Sequence, residues 1–264
     1  MPSVSNIAVG AAMAGAAATK ARHQMNESIA RLSTGIRSMY GGDAAGQSVA
    51  NSLGAKAASF AVAARNAEDG ISFLQSAESL LLELAALTTR LRELGIQYAN
   101  NALLTATDEA ALNAEAQAIG DAIQNIATNT NFNGTQMIGN ATAISIGIND
   151  QGDTATVGTA QSLAVASTGD ITGANGIDSS ADTALGEIAQ SLGNVAAGMT
   201  ALKGYQAAAS ATSANLAAAA ARIQDTDFAL ETASLTKAAI LNQSAMAMVA
   251  QANQAQQAIL TVIQ

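Results

Sequence analysis

The chain has 264 residues, a net charge of −9 and no cysteine, so disulfides, thiolate metal sites and cysteine nucleophiles are excluded. Hydrophobic residues make up 49% of the sequence and aromatic residues only 3%. This alanine-rich composition, with its single proline at Pro2, favours long helices. No Lys or Arg lies between Arg92 and Lys203, which argues against binding of nucleic acid by the middle of the chain.

No constellation of catalytic residues is visible in the sequence. The one histidine, His23, stands between Arg22 and Gln24 on a predicted helix. No nucleophile–base pair, phosphate-binding loop or set of metal ligands accompanies it. We therefore predict no catalytic, cofactor-binding or metal-binding residue and no cofactor. An enzyme stays the main competing class, without a motif to support it.

The N-terminal part predicts a helix over about residues 4–34, loosened at Gly10 and Gly15 and ending near Gly35. Its apolar residues step by four and three, as in the seam of a coiled coil: Met25, Ile29, Leu32, Ile36 and Met39. The first residues lack the pattern of a secretory signal, so we expect any export to leave the sequence uncleaved. Residues 41–43 predict a turn, an N-cap at Asp43 and a domain boundary.

The next stretch, residues 43–101, predicts a helix of about 55 residues. Its seam again follows a 3.5-residue period: Phe73, Ala77, Leu80, Leu84, Leu87, Leu91, Leu94 and Tyr98. Ile71, Leu82 and Ile96 lie off that seam, and a rod built on the seam alone would expose them.

The middle of the chain changes character twice. A helix is predicted from Thr107 to Asn129, and residues 131–134 have turn chemistry. Residues 144–148 and 154–157 predict a hairpin inside a loop-rich insert at about 135–183. The Asp150 and Asp153 pair faintly resembles a calcium loop, but the alternating oxygen ligands and the closing Glu are missing.

Helix is predicted to return near residue 180 and to continue to Arg222, where residues 222–227 mark a second boundary. The last helix has its own predicted seam: Leu241, Ala245, Met248, Ala252, Ala255, Ile259 and Val262. The predicted class is mainly α, a long-helix bundle or coiled coil from both chain ends with a small β-hairpin insert. The predicted domains are a discontinuous one, 1–42 with 223–264, and a rod, 43–222.

Both terminal segments lack charged side chains. Residues 1–19 and 238–264 contain no charged side chain, whereas a solvated helix normally carries charges on its outer face. The amide side chains of the last helix argue against membrane insertion. Helices with an apolar seam and an uncharged polar back can pack among copies of themselves, so we predict termini that become ordered on assembly. An ordinary intramolecular coiled coil is the alternative.

The sequence resembles bacterial flagellins in an ordered set of blocks. These blocks are residues 26–37, 43–46, 65–72, 90–97, 131–134, 222–229 and 250–254. The resemblance implies a structural subunit of the flagellar filament, with a terminal-helix inner domain and a rod-like outer-tube domain. Only about 45 residues separate Gly134 from the returning helix, too few for large variable outer domains. A hook-associated junction protein, which shares the terminal helices, is the closer alternative to a filament subunit.

The resemblance also implies a life cycle and partners. The subunit is exported unfolded through the flagellar type III apparatus, polymerises into an extracellular filament and serves swimming motility. It meets an export chaperone, a filament cap and hook-junction proteins. The region of Arg90, Leu94 and Glu115 resembles the surface bound by the vertebrate flagellin-sensing toll-like receptor. No nucleic acid or membrane insertion is expected.

Specific assembly residues follow as a hypothesis from the filament interpretation. On the long helix, the apolar residues off the seam and their charged neighbours are expected to contact other subunits: Leu82, Arg90, Arg92, Glu93 and Ile96. On the last helix, the seam itself is expected to serve assembly: Leu241, Ala245, Met248, Ala252 and Ile259. Singly exposed apolar residues are common on protein surfaces, so an isolated, non-contacting role for Leu82 and Ile96 is the alternative.

Overall fold

A computed structural model describes residues 2–37, 43–138, 144–157 and 177–263. The described chain contains α1 (Pro2–Thr34), α2 (Ala44–Tyr98), α3 (Ala106–Asn129), α4 (Ile177–Gln224) and α5 (Phe228–Ile263). Four short strands lie between α3 and α4: β1 (Asn131–Phe132), β2 (Thr135–Gln136), β3 (Ile144–Gly147) and β4 (Thr154–Val157). The predicted class, mainly α with a small β hairpin, is confirmed. Residues 38–42, 139–143 and 158–176 lie outside the described residues. Part of the first predicted boundary and of the predicted insert falls on them.

Helix ends follow local side-chain chemistry. The Asp43 carboxylate accepts a 2.8 Å hydrogen bond from the Gly46 amide, so Asp43 caps α2 as predicted. Helix α1 ends at Thr34, where Gly35 adopts a left-handed conformation (φ 71°). The cap of α3 is Thr105, which exchanges hydrogen bonds with Asp108 in a capping box. The predicted start at Thr107 is therefore one residue late, since α3 begins at Ala106. Helix α1 is continuous through Gly10 and Gly15 rather than loosened there.

The chain forms two compact units, each described here by itself. Unit 1 comprises residues 1–55 and 216–264, and unit 2 comprises residues 56–215. These limits fall inside α2 and α4. The domain boundaries predicted from the sequence, 42/43 and 222/223, stay a prediction.

The core of unit 2 is built from α2, α3, α4 and the β3–β4 hairpin. Five positions of the predicted α2 seam are buried: Phe73, Ala77, Leu84, Leu91 and Leu94. A second row on α2 that the seam did not include, Leu74, Leu81 and Thr88, is equally buried. Because the core cluster combines side chains of three helices and the hairpin, one seam cannot cover it. Ile71, expected to be exposed, is also buried in this core.

Two antiparallel hairpins follow α3. Phe132 pairs with Thr135 across a turn in which Asn133 and Gly134 both have positive φ, as tight hairpin turns require. In the second hairpin, Ile146 pairs with Ala155, and both are buried. Ile146 lies directly over Gly70 of α2, where a Cβ atom would collide with it. A glycine in a long helix therefore creates the space in which the hairpin packs.

Candidate assembly surfaces

In unit 1, α1 and α5 pack together through small residues. The buried positions of α1 are Ala14, Ala18, Ala21 and Ser28, and those of α5 include Glu231, Ala238 and Ala245. Small side chains allow two helix backbones to approach closely. The predicted α1 seam is therefore corrected at Ile29, which is 49% exposed and whose place is taken by Ser28. Met25, Leu32 and Ile36 of that seam are half-buried.

Because small residues form the α1–α5 contact, large apolar side chains are left outside the helix pair. Those at least 45% exposed on α1 and α5 are Val9, Met13, Ile29, Phe228, Leu230, Ile240, Leu241, Met246 and Met248. Scattered apolar residues are normal on a surface, but a concentration of this kind marks an interaction site. These apolar residues of the terminal helices thus lie outside the α1–α5 seam.

A groove of about 870 Å³ runs along α1 and α5. Towards the chain ends it is lined by Met13, Leu241 and Met248. Towards the other end its lining is charged, with Lys20, Glu27, Arg31, Glu231 and Lys237. The groove therefore has an apolar half, formed largely by the charge-free segments, and a charged half.

The assembly residues predicted on α5 have different surroundings. Leu241 and Met248 are 47% and 61% exposed and line the groove. Ala245 is buried within the helix pair, and Ala252 is half-buried. The side chain of Ile259 lies outside the described residues. Leu241 and Met248 of the expected seam are replaced by Asn242 and Val249, which are less exposed, whereas Ala255 is half-buried.

The end of α1 is tied to the start of α5 by polar contacts. Arg31 Nη1 lies 3.4 Å from Glu231 Oε1. Residues 35–37 and 224–226 form a short antiparallel bridge, in which the Arg37 amide donates to the Gln224 carbonyl and the Thr226 amide donates to the Gly35 carbonyl. We call the Arg31–Glu231 pair and this bridge the clasp.

Arg37 adds side-chain contacts to the clasp. Its guanidinium donates to the Ile223 carbonyl at the end of α4 and pairs with Asp43 at 2.8 Å. The Gly46 amide and the Arg37 guanidinium together lower the pKa of the Asp43 carboxyl. One carboxylate thus caps α2 and binds the arginine that caps α4.

In unit 2, the predicted charged residues form two ion-pair groups. Arg90 pairs with Glu115 of α3 at 2.7 Å and with Glu93 at 3.1 Å, and these hydrogen bonds, first that of Glu115, raise the pKa of Arg90. Arg92 pairs with Asp182 of α4 at 2.5 Å. All of these side chains are at least 43% exposed, so their charges face the surface.

Apolar residues accompany these charges. Leu82 and Ile96 are 56% and 52% exposed, as expected for residues on the far side of the α2 seam. Leu94, predicted with Arg90 and Glu115 as part of a receptor surface, is fully buried in the core of unit 2. The surface therefore contains Arg90 and Glu115 without Leu94, because Leu94 is a seam residue.

The contacts of the clasp were not found from the sequence. Arg31 and Glu231 are 200 residues apart in the chain, and no local sequence pattern around either residue predicts their contact. The capping role of Asp43 had a local signal and was found. The segment that faintly resembles a calcium loop forms a turn instead, in which the side-chain oxygen Oδ1 of Asn149 accepts hydrogen bonds from the amides of Gln151 and Asp153. Among the described residues, no three His, Asp or Glu side chains gather as metal ligands.

Comparison with known proteins identifies the family. The bacterial flagellin N-terminal helical region matches residues 5–143, and the C-terminal helical region matches residues 179–263. The chain is 32% identical to a flagellin of Halalkalibacterium halodurans, covering 91% of this chain and 92% of that protein. It is 34% identical to flagellin FlaB2 of Treponema pallidum, covering 90% and 92%. The chain therefore belongs to the bacterial flagellin family, whose members are the structural subunits of the flagellar filament.

Proposed function

We propose that this flagellin polymerises through the outer surfaces of α1 and α5 and, in unit 2, through the exposed face of α2. The observation that carries the proposal is the exposed apolar set on two helices whose ends have no charge. Met13, Leu241 and Met248 line a groove, and burying them between copies would strand no charge from those ends. The family is structural, self-assembles into a filament outside the cell and gives the cell motility.

The finer life cycle is part of the proposal. The chain is exported unfolded by the flagellar type III apparatus, with an export chaperone, and it adds to the filament beneath a cap, beyond hook-junction proteins. A relative from Treponema phagedenis, 33% identical over 90% of this chain and 92% of its own length, is a flagellar filament 33 kDa core protein. That similarity supports a filament subunit over a hook-junction protein. Electron microscopy of the purified, polymerised chain tests the choice, because a junction protein forms no long filaments.

The proposal excludes catalysis and membrane insertion. Among the described residues, α2 is the helix that is long and apolar enough to cross a membrane. Its seam supplies the core of unit 2, and core helices of soluble proteins satisfy the same criterion. We therefore assign the apolar character of α2 to packing within the subunit and between subunits.

On α2, the double variant Leu82→Ser/Ile96→Ser tests the second surface. Both side chains are more than half exposed, so their removal should change the melting temperature of the subunit little. Filament formation should weaken, with a critical concentration about tenfold higher for a loss of ~1.4 kcal/mol per subunit contact. Sedimentation of polymer at graded subunit concentrations measures it.

The matched control for this experiment is Ala86→Ser, on an exposed position of the same helix. It introduces a serine without removing a large apolar side chain. The double variant polymerising like this control, with the rod folded, would contradict the role of Leu82 and Ile96 and favour their isolated exposure.

Arg90 and Glu115 form the proposed surface for the toll-like receptor. A guanidinium held by two carboxylates is preorganised for a polar contact, and arginines often dominate binding energy. Arg90→Ala should reduce receptor signalling by about tenfold or more in a cell reporter assay. Arg92→Ala is the matched control, because Arg92 has a similar exposure and its own carboxylate partner. A wild-type protein without any signal would end this part of the proposal.

A further inference from the structure

The α1–α5 seam is nearly repetitive. On α5, Ala238, Ala245 and Ala252 recur every seven residues, and on α1, Ala14, Ala21 and Ser28 do so. In a helix pair, a slide of seven residues returns the same face to the partner. Sliding α5 by one heptad would therefore replace alanine by alanine along one row of the seam.

The second row of α1, with Ala18, Met25 and Leu32, is less uniform, and so is the second row of α5. It contains Leu235, Asn242, Val249 and Gln256, all half-buried. A buried asparagine can specify the register of a coiled coil when its amide finds a partner. Here Asn242 Oδ1 is buried and accepts no hydrogen bond among the described residues, so it does not select one register through this oxygen.

The specific contacts between the two helices concentrate at one end. Arg31 binds Glu231, whose side chain is only 11% exposed. The bridge between residues 35–37 and 224–226 adds two backbone hydrogen bonds of 2.8 and 2.9 Å. A heptad slide would break all of these contacts and leave Glu231 in the seam without its arginine. Such a loss is costly for a buried charge.

We propose that the clasp sets the register of α1 against α5, and that the seam itself tolerates at least one other register. The terminal helices run antiparallel, because the end of α1 meets the start of α5 at the clasp. Counting outward along both helices from the Arg31–Glu231 pair brings Ala18 level with Ser244, and the adjacent buried residue of α5 is Ala245. Opening the clasp therefore yields a mixture of registers instead of separated helices. This inference goes beyond polymerisation and does not depend on it.

Cysteine cross-linking tests the register directly, because the natural chain contains no cysteine. Ala18→Cys is combined in turn with Ala238→Cys, Ala245→Cys or Ala252→Cys in the full-length chain. Each version is oxidised as soluble subunit and after polymerisation. With the clasp intact, we expect the 18–245 disulfide to form at least about tenfold faster than either alternative. The open-clasp variant is Arg31→Leu/Glu231→Leu/Arg37→Leu, which replaces both members of the buried pair and removes the side-chain contacts of Arg37. Asp43 and Glu27 lose an arginine partner in this variant, but their side chains are 35% and 51% exposed.

In the open-clasp variant, we expect 18–252 or 18–238 disulfides to form within about threefold of the 18–245 rate. The charge-swapped pair Arg31→Glu/Glu231→Arg, with Arg37 retained, should restore the preference. Glu27→Gln is the matched control, because Glu27 contacts Arg31 within α1 and cannot align two helices.

Three results would overturn the proposal. One is an intact-clasp protein that forms all three disulfides equally in both soluble and polymerised form. The second is an open-clasp variant that keeps the full preference for 18–245. The third is an open-clasp variant that loses every cross-link, because the clasp would then hold the helices together without setting their register. Since the soluble subunit gives its own result, a failure to polymerise is distinguishable from a failure of this inference.

Discussion

Met248→Glu is expected to abolish polymerisation of the subunit at concentrations at which the wild-type chain forms filaments. Met248 is 61% exposed and lines the groove between α1 and α5, inside the segment that has no charged side chain. Burial of an unpaired carboxylate between copies costs several kcal/mol. A cost of about 3–4 kcal/mol raises the critical concentration by two to three orders of magnitude. Sedimentation and electron microscopy of polymer measure the effect.

Met248→Gln is the control for this variant, because Gln has the shape of Glu without its charge. It should polymerise far better than Met248→Glu, since α5 already carries several amides near its end. Unfolding of unit 2 should be the same in both variants. Equal polymerisation of the Glu and wild-type proteins would show that Met248 stays exposed in the filament and would remove the groove from the assembly surfaces.

Leu81→Ala is expected to destabilise the subunit by about 2–5 kcal/mol, the usual cost of truncating a fully buried leucine. Leu81 has no exposed surface and belongs to the core cluster of unit 2. The neighbouring Leu82→Ala is the matched control and should cost under about 1 kcal/mol, because Leu82 is 56% exposed. Denaturant unfolding followed by circular dichroism measures both.

Leu81 and Leu82 distinguish between two descriptions of how α2 packs. A helix that packs through a single 3.5-residue seam buries Leu84 and leaves Leu81 at its margin. A helix surrounded by α3, α4 and a hairpin buries both. A small effect of Leu81→Ala would contradict the second description and the burial on which it rests.

The sequence predicts the helices of this protein well, because their signals are local. The helical period, the two-glycine break before Asp43 and the polar segment at 222–227 each depend on neighbours in the chain. The hairpin turn at Asn133 and Gly134 is equally local, since these residues adopt positive φ readily. These features give the fold class and most helix ends to within a few residues.

The seams are predicted less well, for a physical reason. The free energy gained by burial favours a seam of large apolar residues, and the predicted seams follow this rule. In α1 the close seam instead takes Ala18 and Ser28 while Ile29 stays outside, and in α5 the predicted Ala245 is buried whereas Met248 stays outside. A subunit that belongs to a polymer divides its apolar residues between internal and external contacts, and one sequence does not reveal that division. The Arg31–Glu231 pair was missed because it joins residues 200 positions apart.

The β3–β4 hairpin is attached to the helices through its strands and not through its turn. Ile146 and Val157 attach the hairpin where Gly70 and Gly198 leave room on the helices. The turn at residues 149–153 is closed by hydrogen bonds of the Asn149 side chain, whose Nδ2 donates to Asp153 Oδ2 and whose Oδ1 accepts from the amides of Gln151 and Asp153. Loop tips whose backbone makes no core contact are the sites that tolerate inserted sequence. A foreign peptide spliced at Gly152 would thus be carried by every subunit, which makes this turn a natural position for repetitive display of epitopes or binding tags.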